Sequence, residues 1–564
     1  MKIVLDIETT STHDVIWCCV TRDMDTDEVI VWKAASGLQK YLDNCDLIIM
    51  QNGINFDAQI LRKVWNVTMR LSQVSDTLVL SRLLNPSLEG GHSLDAWGTR
   101  LGFPKGDFKD WDGGLTEEMI TYCVQDTLVT AKLYDHLINE LNSKGFSQRS
   151  IELEHNVQAI ITKQEVNGFK LDQRNALQLL SELKTKLDAI EVEMQVIFPA
   201  KVESNRISKL NKPLKDIVTP FNPGSRKQIG ERLIERGWKP SKFTETGQPI
   251  VDEVILADSV IPEAKAIAEY LMLQKRIAQI DSWLNELKED GRVHGRVITN
   301  GAVTGRMTHR NPNMAQVPNS GSPYGEECRN LWIVEKGYKL VGIDASGLEL
   351  RMLAHYMNDD EYTHEIIQGD IHWKNTISLG LYAKGTLRDK KDQGHEQARN
   401  KAKTFIYAFL YGAGAAKIGT IVGGNAKEGQ KLIDNFLQNT PKLLELRQKV
   451  SRISAKEGAL PSLDGRKIFI RSEHSAVNTL LQGAGAIVMK QALVILDKYL
   501  KRAKIDYKFV ANVHDEWQVE VKESEADAVG GLGVKAIELA GVQFSMRCPL
   551  TGEYKVGNSW KETH

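Results

Sequence analysis

The sequence predicts a mixed multidomain protein: an α/β layered unit followed by a longer α+β region. Three observations carry that reading. A chain of 564 residues exceeds one ordinary core and calls for three or four domains or subdomains. Residues 1–145 alternate short β-rich runs with helical patterns, whereas from 146 helical periodicity dominates and is broken by two strand-rich stretches. Charge divides near the same place. Residues 1–140 hold 12 Lys+Arg against 21 Asp+Glu, so the remainder of a chain with net charge −1 must be basic.

The elements follow in order. KIVLDIE, EVIVWKA and DLIIMQN read as strands of the first unit. SIELEHNVQAIITKQEVNG and NALQLLSELKTKLDAIEVEMQVIF read as long amphipathic helices, each stopped by Gly or Pro signals. A polar, lysine-rich connection runs to about residue 220, and a further helix pair ends near Leu287. Residues 291–357 read as strands and turns, 358–475 as mostly helical, and 476–564 as a helix plus a strand–turn–strand around His514. The expected divisions are therefore 1–145, 146–290, 291–357, 358–475 and 476–564.

Composition narrows the class. No stretch approaches the roughly 20 apolar residues of a membrane span, and MKIVLDIETT reads as an acid-interrupted strand instead of a signal peptide. Six cysteines without a CxxC pair argue against a zinc ribbon or a disulfide scaffold, so a reducing cytoplasm is expected. Residues 201–242 hold 11 basic and 4 acidic residues, among them Lys209, Lys212 and Lys215. That stretch suits salt-sensitive contact with a phosphate backbone. Within it, residues 201–215 are poor in apolar anchors, which argues against a protein partner there.

Two groups of acids carry the chemistry. Asp344 in VGIDASGLELR and Asp515 with Glu516 in NVHDEWQVE each follow an apolar run, which places them at the ends of adjacent core strands. Between them, Arg399, Lys403, Tyr407 and Tyr411 recur at helical spacing on one face, opposite a packing stripe of Ala402, Phe405, Ile406 and Phe409. Two cations and two aromatics on one face suit a triphosphate at one end and a base at the other, Arg as a fork and Lys as a point charge. Asp344 and Asp515 could hold two divalent metals for in-line phosphoryl transfer. The second group lies in 1–140: Asp6 and Glu8 on one strand face, Asp57, then Tyr122 and Asp126 at i and i+4 of a helix. Four carboxylates and a tyrosine could hold two metals and aim a water at a terminal phosphodiester.

The order and spelling of these strings resemble the family A (Pol I-like) DNA polymerases, most closely those of small T-odd bacteriophages. HSLDAWG, VNGFKLD and SPYGEECRN extend the likeness over nearly the whole chain. The resemblance implies a DEDDy, RNase H-like exonuclease domain (1–145), then linker and thumb (146–290), palm (291–357), fingers (358–475) and palm again (476–564). It implies DNA synthesis from dNTPs with proofreading in phage replication, with two Mg²⁺ per active site for which Mn²⁺ can substitute. By the same resemblance Glu349 is a steric gate beside the sugar C2′, and His372 contacts phosphate. Tyr407 stacks on the incoming nucleotide and tolerates dideoxynucleotides, and Tyr411 fills the templating position when the fingers are open. Arg306 and Gln482 contact minor-groove acceptors and His514 lies near the primer end, with Arg466 and Asn478 as weaker DNA contacts. Asp76 matches the phage enzymes and is expected to be structural. Primer–template DNA and a phage helicase–primase are candidate partners. A thioredoxin clamp is not expected, because the short connection from Phe198 to Phe221 leaves no room for the insertion that binds it. Competing readings are a single-subunit RNA polymerase, a factor that only binds primer–template junctions, and a DEDD nuclease with an inactive appendage. Primer extension with dNTPs against rNTPs separates them.

Overall fold

The structure, a computed structural model, describes residues 1–204, 206, 212–240, 242–252, 255–256, 259–472 and 475–564. Its first unit is built on β1 (Lys2–Thr9), β2 (Ile16–Asp23), β3 (Val29–Trp32), β4 (Leu47–Met50) and β5 (Val74–Asp76), in the order β3-β2-β1-β4-β5. β1, β2 and β3 run as an antiparallel meander, while β4 and β5 are parallel to β1. Alternation along β1 sends Ile3, Leu5 and Ile7 into an apolar layer with Leu38, Leu42, Ile48 and Met50. Asp6 and Glu8 therefore point to the other face. There the helix Glu117–Ser143 packs, capped by Thr116, whose hydroxyl accepts from the Met119 N–H at 3.1 Å.

The helix Gln148–Asn167 joins this unit to the rest through polar contacts. His155 accepts from the Asp76 backbone N–H at 2.8 Å. Next to it in the helix, Glu154 is fully buried between Lys490 Nζ (2.7 Å) and Arg466 (2.6 Å), and Arg466 also grips Asp464. An unpaired charge at that depth would be strongly destabilising, so the four groups lock three segments in register. They also correct one expectation: Arg466 is buried and engaged on both sides, not presented to DNA.

Beyond it, Gln173–Ile197 and Pro262–Asn285 pack as a helix pair, with Arg226–Glu235 and a short hairpin, Lys201–Glu203 against Ile217–Thr219, at the far end. Phe198 and Phe221 close the base of that excursion with ring centroids 4.7 Å apart. The lysine-rich connection is thus partly strand. It exposes Val202 (56%), Leu214 (43%) and Val218 (61%), which corrects the expectation of few apolar anchors. Lys212 and Lys215 lie on it, and Lys209 falls outside the described residues.

The second sheet is wholly antiparallel, in the order Tyr507–Val513, Glu516–Lys522, Tyr338–Ala345, Gly552–Gly557. Its central strand carries Gly342, where a Cβ would lie 2.3 Å from the Thr563 carbonyl oxygen, so glycine lets the C-terminus lie flat on the sheet. The helices Ala476–Arg502 and Ala526–Gln543 pack behind. Contrary to the sequence reading, Ala476–Arg502 is long and apolar enough to cross a membrane by length and composition. Here 89% of its most apolar window is buried inside the protein, where it forms the core of this half. The stretch 358–475 is helical as expected, from Asp360–Ile367 to Pro441–Glu457, and ends in a small hairpin, Ala459–Pro461 with Lys467–Phe469.

Candidate active sites

In the second sheet, Val513 and Glu516 pair directly, leaving His514 and Asp515 as a two-residue turn with His514 at φ 58°. Asp344 lies opposite Glu516 on the neighbouring strand, and the Ala345 N–H donates to the Asp515 carbonyl at 3.2 Å. The strands leading to the two aspartates are not adjacent as expected, because Glu516–Lys522 runs between them, but the turn brings Asp515 to the same end of the sheet as Asp344. Burial pushes the Asp344 carboxyl up to about 8, with Asp515 and Glu516 adding repulsion. Burial and Glu349 push Asp515 up to about 6. Two acids that resist ionisation beside each other are a ready receptor for divalent cations.

Glu516, expected among the catalytic acids, is placed differently. Its carboxylate is buried and accepts from Gln518 Nε2 at 2.5 Å and Trp560 Nε1 at 2.5 Å, with His564 Nδ1 at 2.8 Å. Burial opposes ionisation, but His564, Gln518 and Arg329 outweigh it and hold the group below the usual glutamate range. Gln518 follows on the same strand, whereas Trp560 and His564 come from the C-terminal segment and Arg329 from the helix Gly325–Asn330.

The helix Gln393–Leu410 buries Ala402, Phe405 and Ile406, with Phe409 half-buried, as the stripe predicted. Its other face meets the aspartates. Burial pushes the Tyr407 hydroxyl up to about 12, with Glu349, Tyr411 and Asp515 adding to it. His372 lies 6.1 Å from the Tyr407 ring, and burial with Arg399 and Lys403 nearby lowers it to about 4. Arg399 Nε bonds Asp370 at 2.8 Å, and the Tyr411 hydroxyl donates to Glu349 at 3.1 Å. Arg306 lies 3.7 Å from the same Glu349 oxygen and faces His514, which burial and Arg306 lower. Gln482 donates to Asn478 at 3.0 Å on the adjoining helix. These relations link the six residues expected to handle the nucleotide (Glu349, His372, Arg399, Lys403, Tyr407 and Tyr411) into one neighbourhood. Lys212 and Lys215 do not join it.

The first unit assembles the other acids. Asp6 and Glu8 on β1 face Asp126 and Tyr122 on the long helix, and Asp57 begins the short helix Asp57–Ile60. Burial and Asp126 push Asp6 up to about 7. Burial, Asp6 and Asp126 push Glu8 up to about 10, and burial with Asp6 drives Asp57 well above the usual range. Asp57 Oδ1 and Asp126 Oδ1 are buried without a hydrogen-bond partner. Crowded acids with orphaned oxygens fit divalent metal, the chemistry of both kinds of site. Asp76 is structural as expected: its carboxylate accepts from the N–H groups of Asn52, Ile54 and Leu78, which fixes the loop leading to Asp57.

Four side chains here were missed. Lys105 Nζ lies 2.7 Å from Asp126 Oδ2 and 4.8 Å from the Tyr122 ring centre. Burial works against that ammonium, but Asp126 and Tyr122 hold it above the ordinary lysine value. Phe108 and Trp111 flank Tyr122 at 5.9 and 5.6 Å. The alternation of Lys with aromatics in FPKGDFKDW was the legible signal. Cys123 Sγ lies 3.5 Å from Asp6 Oδ2, and no pattern announced it.

Comparison with known proteins places both halves. A family model described as DNA polymerase family A matches residues 200–562, and one described as 3′-5′ exonuclease matches residues 3–142. The DNA-directed DNA polymerase of Escherichia phage T7 is 32% identical over 721 residues, covering all of both chains. That of Enterobacteria phage T3 is 33% identical over 92% of each. The 721-residue alignment exceeds this chain's 564, so the T7 protein carries segments without a counterpart here. The polymerase domain of Pol1 from M. smegmatis, solved with DNA primer–template and dNTP, superposes with a TM-score of 0.82 over 100% of this chain and 95% of its own, at 19% identity. With an exonuclease unit at its N-terminus and the fold of a Pol I polymerase after it, this chain belongs to DNA polymerase family A and is a phage-like DNA-directed DNA polymerase with a 3′–5′ exonuclease domain.

Proposed function

We propose that the chain replicates phage DNA in the host cytoplasm, joining dNTPs to a primer at Asp344 and Asp515 and removing mispaired ends at Asp6, Glu8, Asp57 and Asp126. The observation that carries this reading is the meeting of Asp344 with Asp515 at one sheet end, with Asp515 close enough to Tyr407 to repel its ionised form. Two Mg²⁺ ions bound at each site would act as Lewis acids on the attacking and leaving oxygens.

The chain's own groups do the positioning. Lys403 and Arg399 draw the triphosphate to the fingers helix, Arg399 exchanging Asp370 for phosphate, and His372 hydrogen-bonds beside them. Tyr407 stacks against the sugar and base, while Glu349 excludes a 2′-hydroxyl. Tyr411 leaves Glu349 when the template base takes its place. Arg306 and Gln482 donate to minor-groove acceptors that every Watson–Crick pair presents alike, so they check shape without reading sequence. His514 borders the primer end. Glu516 is best read as a positioning residue that, with Gln518, Trp560 and His564, holds the turn carrying Asp515. In the other site Tyr122 orients the water, and the Phe108–Trp111 pair offers a stacking surface for a frayed end.

Primer extension on one labelled duplex tests the reading. Matched primers should extend with dNTPs and not with rNTPs, and a mismatched terminus should be trimmed before extension. Efficient rNTP use, or no template dependence, would defeat it.

A further inference from the structure

Cys123 brings sulfur to a site otherwise built of oxygen. It lies on the helix that supplies Tyr122 and Asp126, and among the described residues Asp6, Glu8 and Cys123 form the group whose ligand atoms all fall within 4.8 Å of one another. Cys18, the cross-strand partner of Glu8, packs beside Cys123. A tetrahedral ion with oxygen at about 2.0 Å and sulfur at about 2.3 Å sets its O···S edge near ~3.5 Å. The Cys123 Sγ to Asp6 Oδ2 separation is 3.5 Å. Asp57 and Asp126 lie outside that group, and Asp126 is paired with Lys105 at 2.7 Å. The other cysteines lie elsewhere: Cys19 and Cys45 in the apolar layer of the first unit, Cys328 and Cys548 in the cores of the polymerase half.

We infer that the exonuclease site is also a binding site for thiophilic divalent cations of the Zn²⁺/Cd²⁺ class, held by Asp6, Glu8 and the Cys123 thiolate. Mg²⁺ takes oxygen ligands and leaves a thiol protonated, whereas a soft cation exchanges the thiol proton, released to solvent, for a metal–sulfur bond. Such an ion displaces the working metal and silences digestion while the polymerase acids keep working. This inference rests on the exonuclease reading of the same site.

The test titrates the full chain with Cd²⁺ and follows the near-ultraviolet thiolate-to-cadmium charge-transfer band. Wild type should give a saturable band at one ion per chain. The band should vanish in Cys123→Ser, and half-saturation should rise at least tenfold in Asp6→Asn with Glu8→Gln. Primer extension on the same preparations reports that each variant is folded, and Cys123→Ala replaces Cys123→Ser if the serine variant is not. A band unchanged in the Cys123 variants, or indifferent to the carboxylate changes, overturns the inference. At saturating Cd²⁺, wild-type digestion in Mg²⁺ should fall more than tenfold with extension retained, and unaffected digestion overturns it equally. Absence of Mg²⁺-dependent digestion before any Cd²⁺ is added would instead strike the exonuclease reading, leaving the band to be judged by itself.

Discussion

The two acid clusters of this chain, each proposed to hold divalent metal against phosphate, are built in opposite ways. The exonuclease acids are walled in by a sheet and a helix, with Glu8, Asp57 and Asp126 buried and a lysine already placed against Asp126. The polymerase acids sit at a strand end and a turn, and the groups meant for nucleotide are held by other residues: Arg399 by Asp370, Tyr411 by Glu349. The first site is built for one geometry. The second must exchange internal contacts for contacts to substrate, so its side chains can serve as checkpoints. Fixed walls suit hydrolysis of any sequence, whereas exchangeable partners suit selection among nucleotides.

The strongest way to break this comparison is to disable each site alone. Asp344→Ala or Asp515→Ala should lower extension on the order of 10³-fold or more while digestion continues, because one site loses a shared metal ligand. Asp6→Ala with Glu8→Ala should do the converse. Single-turnover assays of both activities on each variant measure it, and joint loss of both activities in a folded variant would merge the sites.

Substrate-dependent exchange predicts a smaller, selective effect at Tyr407. Tyr407→Phe keeps the stacking ring and removes one hydroxyl, so discrimination against ddNTPs should rise about tenfold or more with dNTP use little changed. The ratio of ddNTP to dNTP kcat/KM reads it, and an unaltered ratio would separate Tyr407 from the sugar.

The walled site should also announce itself in pH dependence. Asp6 near 7 and Glu8 near 10 bind protons in the folded, metal-free protein that the unfolded chain has released. Stability of the metal-free first unit is therefore highest near pH 4 as far as these groups go. It should decline as pH rises through 5 to 9, and added Mg²⁺ should restore it. Calorimetry with and without Mg²⁺ at pH 5, 7 and 9 tests this. A metal-free Tm that rises across that window, and a Mg²⁺ effect no larger at pH 9 than at pH 5, would count against the cluster.

The smallest effect is expected far from either site. Neutralising Lys209, Lys212 and Lys215 should weaken duplex binding equally across sequences and flatten the salt slope by about 0.9 per lost phosphate contact. An unchanged slope would turn attention to the exposed Val202, Leu214 and Val218 as a surface for a protein partner.

Much of this was legible in the chain itself. Apolar runs ending in Asp344 and Asp515, alternation at Asp6 and Glu8, and the i, i+4 spacing of Tyr122 and Asp126 are local, and strand and helix periods turn local spacing into a shared face. The stripe of Ala402, Phe405 and Ile406 fixed which side of the helix Gln393–Leu410 is buried for the same reason. Tertiary structure alone decided the rest. It closed Trp560 and His564 around Glu516 and set Glu154 against Arg466. It also brought Lys105 and Cys123 up to the exonuclease acids. These contacts join residues from different segments of the chain. The 3.6 and 2.0 periods say which face a side chain occupies, and only the packing of one element against another says what it meets there.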